Sequence, residues 1–285
     1  MEWLDHFNNS IAYVEENLAR SIDLDRAAQL AQCSSYHYQR MFSYIAGVTL
    51  GEYIRRRRMS LAGVDLQRGE KVIDVATQYG YDSPTSFNRV FKSVHGITPK
   101  EAKQSGVKLT SYPMLTFKIT VKGVQAMEYQ LIDKEAFHVT GLSLKIEQDM
   151  EMAQKRIPEF WNEVSASGDL EKLIPLMDQN NPGVLGVSLM TSEVQDTWEY
   201  VIGVVSEEAS EEFGSYEIPA AKWAIFTGTG PMPGAIQELQ QQVFQEWLPT
   251  SGFEYDELPD IELYLDANPE NAQFQVWLPV RAKAE

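Results

Sequence analysis

The chain has 285 residues, 44% of them hydrophobic, a net charge of −17 and one cysteine, Cys33. That length suits two domains, each able to bury a core. The lone cysteine excludes an intrachain disulfide and fits a reducing, cytoplasmic setting, and no apolar run approaches the roughly 20 residues of a membrane-crossing helix. The N-terminus, Met1-Glu2-Trp3-Leu4-Asp5, has no basic and then apolar leader pattern, so no signal peptide is expected. The charge is unevenly divided: residues 1–108 carry 14 Lys+Arg against 12 Asp+Glu, and residues 109–285 carry 10 against 29. A locally basic segment binds phosphate even beside an acidic neighbour, so nucleic acid stays open as a partner for the first part only.

Residues 3–19 predict an amphipathic helix, with Leu4, Phe7, Ile11, Val14 and Leu18 on one stripe. Asp23 is placed to cap a helix from Leu24 to Gln32, and Ser34 or Ser35 to cap one from Tyr36 to Ala46, ended by Gly47. Leu50 to Gln67 reads as one helix without a proline, about 27 Å long at about 1.5 Å per residue. Arg55 to Arg58 wrap around it, and one or two of them are expected at phosphate. Val72, Val75, Ala76 and Tyr79 predict a short helix stopped at Gly80, a residue free to take a left-handed conformation. Ser83 as N-cap and Pro84 at the first position open the next helix, whose stripe is Phe87, Val90, Phe91 and Val94. Its other face, Thr85, Ser86, Asn88, Arg89 and Lys92, is small, polar and basic, as a major-groove helix requires.

The pattern occurs twice. Ala28 and Ala76 are 48 positions apart, and Arg40-Met41-Phe42 and Arg89-Val90-Phe91 are 49 apart, with Gln32 standing where the second copy has Gly80. Two helix-turn-helix units joined by a helix of about 27 Å can face adjacent major grooves, about 34 Å apart.

Residues 5–105 resemble the DNA-binding domain of the AraC/XylS family of transcription regulators. The resemblance rests on Asp74-Val75-Ala76, Gly80-Tyr81-x-Ser83, Phe87-x-Arg89-x-Phe91-Lys92 and Gly96-x-Thr98-Pro99. Ala102 departs from it, standing where an aromatic usually helps to anchor the last helix. The resemblance implies that bases are read by Tyr36, Gln39 and Arg40 in the first unit and by Thr85, Ser86 and Arg89 in the second. The chemistry agrees: arginine bonds bidentately to guanine, glutamine to adenine, and tyrosine or threonine meets the thymine methyl.

Past residue 108 the pattern changes, residues 109–126 reading as a linker and first strand region with Leu115, Phe117, Ile119 and Val121 alternating. Strands are predicted at Met127 to Ile132 and Phe137 to Ile146, a helix at Asp149 to Ser165, and strands at Val184 to Met190 and Trp198 to Val205. A second cycle has strands at Tyr216 to Ile218 and Trp223 to Thr229, a helix from Pro233 to Trp247, and strands at Ile261 to Leu265 and Phe274 to Val280. Two ββαββ units predict pseudo-two-fold packing with a cleft between them, a common ligand seam. The expected architecture is therefore an all-α N-terminal domain, 1–108, with two helix-turn-helix units, and an α+β domain, 127–285.

This half resembles the gyrase-inhibitor-like effector-binding domain. The matching residues are Ile157-Pro158-Glu159-Phe160-Trp161, Gly203-Val204, Ile218-Pro219-Ala220 with Trp223, Trp247-Leu248-Pro249-x-Ser251-Gly252 and Ile261-Glu262-Leu263-Tyr264. Strand alternation puts Ile261, Leu263 and Leu265 on one face and Glu262 and Tyr264 on the other. The resemblance implies that Glu262 meets cationic, often aromatic ligands; Tyr264, Trp161, Tyr200, Trp223 and Trp277 are the candidate walls.

No zinc spacing, phosphate loop or nucleophilic triad is present, and no cofactor or metal is expected. Some relatives of this fold are hydrolases using Glu and Tyr, and a drug-sequestering protein is the other alternative, but a fused DNA-binding half calls for a sensor. The expected function is an effector-controlled regulator of transcription that binds double-stranded DNA and no membrane. It is expected to activate, with RNA polymerase recruitment as one route and relief of DNA occlusion by the acidic half as another.

Overall fold

Seven helices succeed one another among the described residues from 2 to 102, and most begin at a side-chain cap. The computed structural model describes residues 2–117, 126–147, 150–190, 197–208, 210–266 and 268–283, and the chain divides into two units, Met1–Lys118 and Ile119–Glu285. The helices are α1 (Glu2–Glu16), α2 (Leu24–Leu30), α3 (Ser35–Ala46), α4 (Leu50–Gln67), α5 (Val72–Gln78), α6 (Pro84–His95) and α7 (Pro99–Ala102). Asp23 accepts from the Arg26 amide at 3.0 Å, Thr49 from Glu52 at 3.2 Å and Ser83 from Ser86 at 3.1 Å. Ser34, rather than Ser35, caps α3. Gly47 and Gly96 end α3 and α6 in the left-handed conformation.

Helix α4 is common to two cores. Its N-terminal half gives Tyr53 to an aromatic group with Phe42, 5.4 Å between ring centres, and Phe7 and Tyr38 belong to the same core. Its C-terminal half gives Met59, Ala62 and Leu66 to a second core with Val75, Ala76, Phe87 and Phe91. Ala102 is fully buried in that second core, and Lys103 fastens the end of α7 by donating to the carbonyls of Gly69 and Glu70 at 3.0 and 2.9 Å. Anchoring thus comes from an ammonium group next to the position that lacks its aromatic.

The stretch expected to begin the sheet does something else. Residues 107–117 enter no strand but lie extended along α4, antiparallel to it. Leu109 joins the second core, the Thr110 amide donates to His95 Nδ1 at 3.2 Å and the Tyr112 amide donates to Ser60 Oγ at 2.9 Å. The Tyr112 carbonyl accepts from Arg57, and the Leu115 amide donates to the Tyr53 hydroxyl at 3.2 Å. Phe117 bonds the Asn8 side chain through both its amide (2.9 Å) and its carbonyl (3.0 Å), and its ring meets Phe7 at 5.3 Å. Ile119 and Val121, expected to continue the alternation, lie outside the described residues.

The second unit is one antiparallel sheet with helices on one face. Its elements are β1 (Tyr129–Lys134), β2 (Phe137–Glu147), α8 (Met150–Ser167), α9 (Asp169–Leu173), β3 (Val184–Met190), β4 (Thr197–Val205), β5 (Gly214–Ile218), β6 (Ala221–Gly230), α10 (Gly234–Gln242), β7 (Phe253–Tyr255), β8 (Asp260–Tyr264) and β9 (Ala272–Ala282). The strand order is β1-β6-β9-β8-β3-β4-β2-β5, with β7 on β9. Helix α10 was expected to run to Trp247, but the α-helix ends at Gln242 and residues Val243–Trp247 widen into a π turn. One sheet face holds Val187, Val201, Trp223, Ile261, Leu263 and Trp277 in a single core. On the other, Ile236 of α10 packs on Phe274 and Val276. Leu265, expected on the apolar face of β8, falls past the end of the strand and is 39% exposed.

The two repeat copies differ at their turns. Gly80 has φ +81° and Gln32 φ +60°, so Gln32 holds a conformation that glycine adopts without steric penalty. Gln32→Gly is expected to raise the midpoint of thermal unfolding, by about 0.5–1 kcal/mol of stability. Gly80→Gln is expected to lower it by more, since its Cβ would also stand 3.3 Å from Arg58 Nη1.

Candidate nucleic-acid interface and effector site

Helices α3 and α6, which carry the residues expected to read bases, present their polar faces differently. In α6, Phe87 and Phe91 are fully buried and fix the helix, leaving Thr85, Asn88 and Arg89 exposed. Ser86 is half-buried, and its hydroxyl donates to the Ser83 carbonyl at 2.9 Å, which ties it to the cap. The Arg89 guanidinium has no hydrogen bond or ion pair with any described residue.

In α3 the corresponding side chains are held inward. Tyr36, Gln39 and Arg40 are 3%, 7% and 5% exposed. Arg40 Nη1 donates to the Tyr36 hydroxyl at 2.8 Å, and its guanidinium lies 5.4 Å from the Tyr44 ring centre. Gln39 Nε2 donates to the Ser35 carbonyl at 3.4 Å.

The arginine run on α4 is internally committed. Arg55 and Arg56 pair with Glu52. Arg57 makes a two-point ion pair with Glu15, at 2.8 and 2.7 Å, which holds its guanidinium above its ordinary pKa. Arg58 donates to the carbonyls of Leu18 and Arg20, both at 2.9 Å, and burial pushes its pKa down. The expectation that one or two of these arginines meet phosphate therefore finds each of them already bonded inside the domain.

The second unit brings Glu262, Tyr264, Tyr200 and Trp161 together. Glu262 Oε2 accepts from the hydroxyls of Tyr200 and Tyr264, both at 3.0 Å. Glu262 Oε1 accepts from Gln240 Nε2 of α10 at 2.7 Å. Trp161 of α8 donates its indole N–H to the Tyr200 hydroxyl at 3.0 Å and lies edge-on to the Tyr264 ring, 5.0 Å between centres. Glu262 is half-buried, and no Lys or Arg among the described residues pairs with it. The carboxylate is thus held by neutral donors alone, with the rings of Tyr200, Tyr264 and Trp161 next to it.

Tyr200 reaches Glu262 across a whole strand. It lies on β4 and Glu262 on β8, with β3 between them. Gly186 of β3 is directly opposite Glu262, and a Cβ there would sit 2.1 Å from the Tyr200 hydroxyl oxygen. The missing side chain is the passage for the phenol.

Trp223 and Trp277 are not in this site. Register pairs Glu262 with Val276 and Ile261 with Trp277, so Trp277 shares the face of Ile261. Trp223 packs against it there, 6.0 Å between ring centres. Gln240 and Gly186 take part instead. Neither carries a sequence signal, since one needs the packing of α10 and the other the pairing of three strands.

Two families match the chain in separate parts. Residues 130–280 match the Cass2 family, integron-associated effector binding protein, and residues 27–105 match a helix-turn-helix domain family. The chain is 43% identical over 90 residues to the HTH-type transcriptional activator AarP of Providencia stuartii, covering 31% of this chain and 67% of AarP. It is 24% identical over 293 residues to the transcriptional regulator Rob of Salmonella typhimurium, covering 95% of this chain and 96% of Rob. Among solved structures, that of SAV2435 bound to tetraphenylphosphonium matches with a TM-score of 0.49 and 23% identity, over 54% of this chain and 94% of that one.

Gly186→Ala is expected to push the Tyr200 phenol off Glu262 and destabilise the second unit by about 1–3 kcal/mol. Thermal unfolding reads the stability. Tryptophan fluorescence reads the loss of the Trp161–Tyr200 bond.

Proposed function

Because the chain belongs to the AraC family of transcription regulators, and its second domain to the gyrase-inhibitor-like Cass2 family of effector-binding domains, we propose that it activates transcription under the control of a cationic, aromatic or amphipathic ligand. The family is one of regulators, not enzymes. The effector enters the second unit at Glu262. The observation that carries this is the half-buried carboxylate, bonded to two phenols and an amide but to no cation among the described residues. A ligand cation supplies the missing charge. Tyr264, Tyr200 and Trp161 supply ring faces that favour a delocalised positive charge over a hydrated one. The ββαββ order of β1–β4 and of β5, β6, β8 and β9, each with its own helix, supports reading the domain as a duplicated, pseudo-two-fold unit.

DNA is read by α3 and α6. Thr85, Ser86 and Arg89 read the groove that α6 enters, and the uncommitted guanidinium of Arg89 is ready for a guanine edge. Tyr36, Gln39 and Arg40 read the groove that α3 enters. For Arg40 this requires exchanging its Tyr36 bond for a base. The description of AarP as an activator supports activation as the sign, and recruitment of RNA polymerase is the route this reading favours.

Arg89→Ala is expected to cost about 1–3 kcal/mol at a selected operator and to relax preference at one base pair, read by binding titrations on single-base operator variants. Unchanged preference would remove α6 from the groove. Glu262→Gln keeps the side-chain shape, removes the charge and turns one of the two acceptors into a donor. It is expected to weaken tetraphenylphosphonium, a probe with spread charge and four phenyl faces, by about ten-fold or more in calorimetry. Equal affinity would place the ligand elsewhere.

A further inference from the structure

The extended segment 107–117 closes a second connection between the two helix-turn-helix units. The first connection is α4, a stiff rod whose neighbours at either end are short loops. A rod fixes distance well but resists relative rotation of what packs on its two ends only through local side-chain contacts. The segment adds a parallel tie. Leu109 is seated in the core of the second helix-turn-helix, and Phe117 in the aromatic group of the first, clamped by Asn8 through two hydrogen bonds. Between them the chain is held to the middle of α4 by Ser60 and to the end of α6 by His95. The Asn8 contacts join positions 109 residues apart in sequence, while Leu109 and Thr110 hold the other end of the segment to the second helix-turn-helix.

We propose that residues 107–117 are a positioning strap that sets the distance and angle between the two DNA-reading helices, with Asn8, Ser60 and His95 as its fastening points. This rests on reading α3 and α6 as the groove-entering helices. None of the three fastening residues reads a base. With the strap seated, both reading helices meet the duplex as one rigid body, and a site is recognised by the spacing of its halves as well as by their bases. With the strap loosened, each helix still binds its own half-site, but the pair tolerates a wrong spacing.

The experiment uses the full chain and an operator obtained by selection, in three forms: native, with one base pair inserted between the half-sites, and with one half-site scrambled. One inserted base pair turns the second half-site by about 35°. The wild-type chain is expected to lose about ten-fold or more on the inserted operator, because rigid linkage gains affinity only when both sites are reached together. The Asn8→Ala/Ser60→Ala variant is expected to bind the native operator about five-fold more weakly, to lose less than about three-fold further on insertion, and to match wild type on the scrambled operator. Each substitution is also made alone, so that a folding defect in the double variant does not decide the matter. Lost stability alone weakens all three operators together and leaves their ratios unchanged. Variants that discriminate spacing as strictly as wild type overturn the strap. A wild-type chain indifferent both to insertion and to scrambling overturns the two-helix reading itself, and the strap with it.

Discussion

The DNA-binding half depends on one helix that cannot choose between two cores. Helix α4 gives Tyr53 to the first and Met59, Ala62 and Leu66 to the second. Because both cores are packed on the same rod, neither unit can shift along it without opening a cavity, which costs several kcal/mol for a large buried side chain. The arginine run is best understood on this footing. Arg57 and Arg58 tie α4 to α1 and to the turn after it, and Arg55 and Arg56 pair along the helix itself. Two of the four positive charges thus fix α4 against α1 and the turn after it, and the other two are paired within α4.

The effector-binding half follows a different constraint, the two-residue period of a strand. On β8, Ile261 and Leu263 enter the core, and Glu262 and Tyr264 must then emerge on the helical face. Everything at the site follows from that alternation and from register: Gly186 directly opposite, Tyr200 one strand beyond, Gln240 and Trp161 descending from the helices. Charge is separated in the same way, with the exposed Arg89 guanidinium on one unit and, on the other, a carboxylate bonded to no cation among the described residues.

Much of this was legible in the sequence, where the information is local. Caps at Asp23 and Ser83, the glycines after α3 and α5, and the 18-residue run of α4 depend on neighbours within four positions. The alternation around Glu262 is equally local, and Tyr264 and its partners Trp161 and Tyr200 do assemble there. Trp223 and Trp277 went to the opposite face because aromatic composition does not encode register. Residues 109–126 read as a linker and first strand region, since alternation in Leu115 and Phe117 is the same whether the partner is a strand or a helix. The real partners, Asn8 and Ser60, lie 109 and 52 residues away. Arg40 shows the same limit, since its sequence position does not reveal that its guanidinium folds onto Tyr36 and Tyr44.

The central claim is that one chain reads two adjacent grooves and does so under the control of a cation. The most direct measurement is selection of bound duplexes from a random pool by the full chain, in the presence and absence of tetraphenylphosphonium. The account predicts enrichment of two distinct sequence blocks centred about one helical turn, roughly 10 base pairs, apart, with the degree of enrichment changed by the cation. A single enriched block, no enrichment at all, or identical enrichment under both conditions would contradict it.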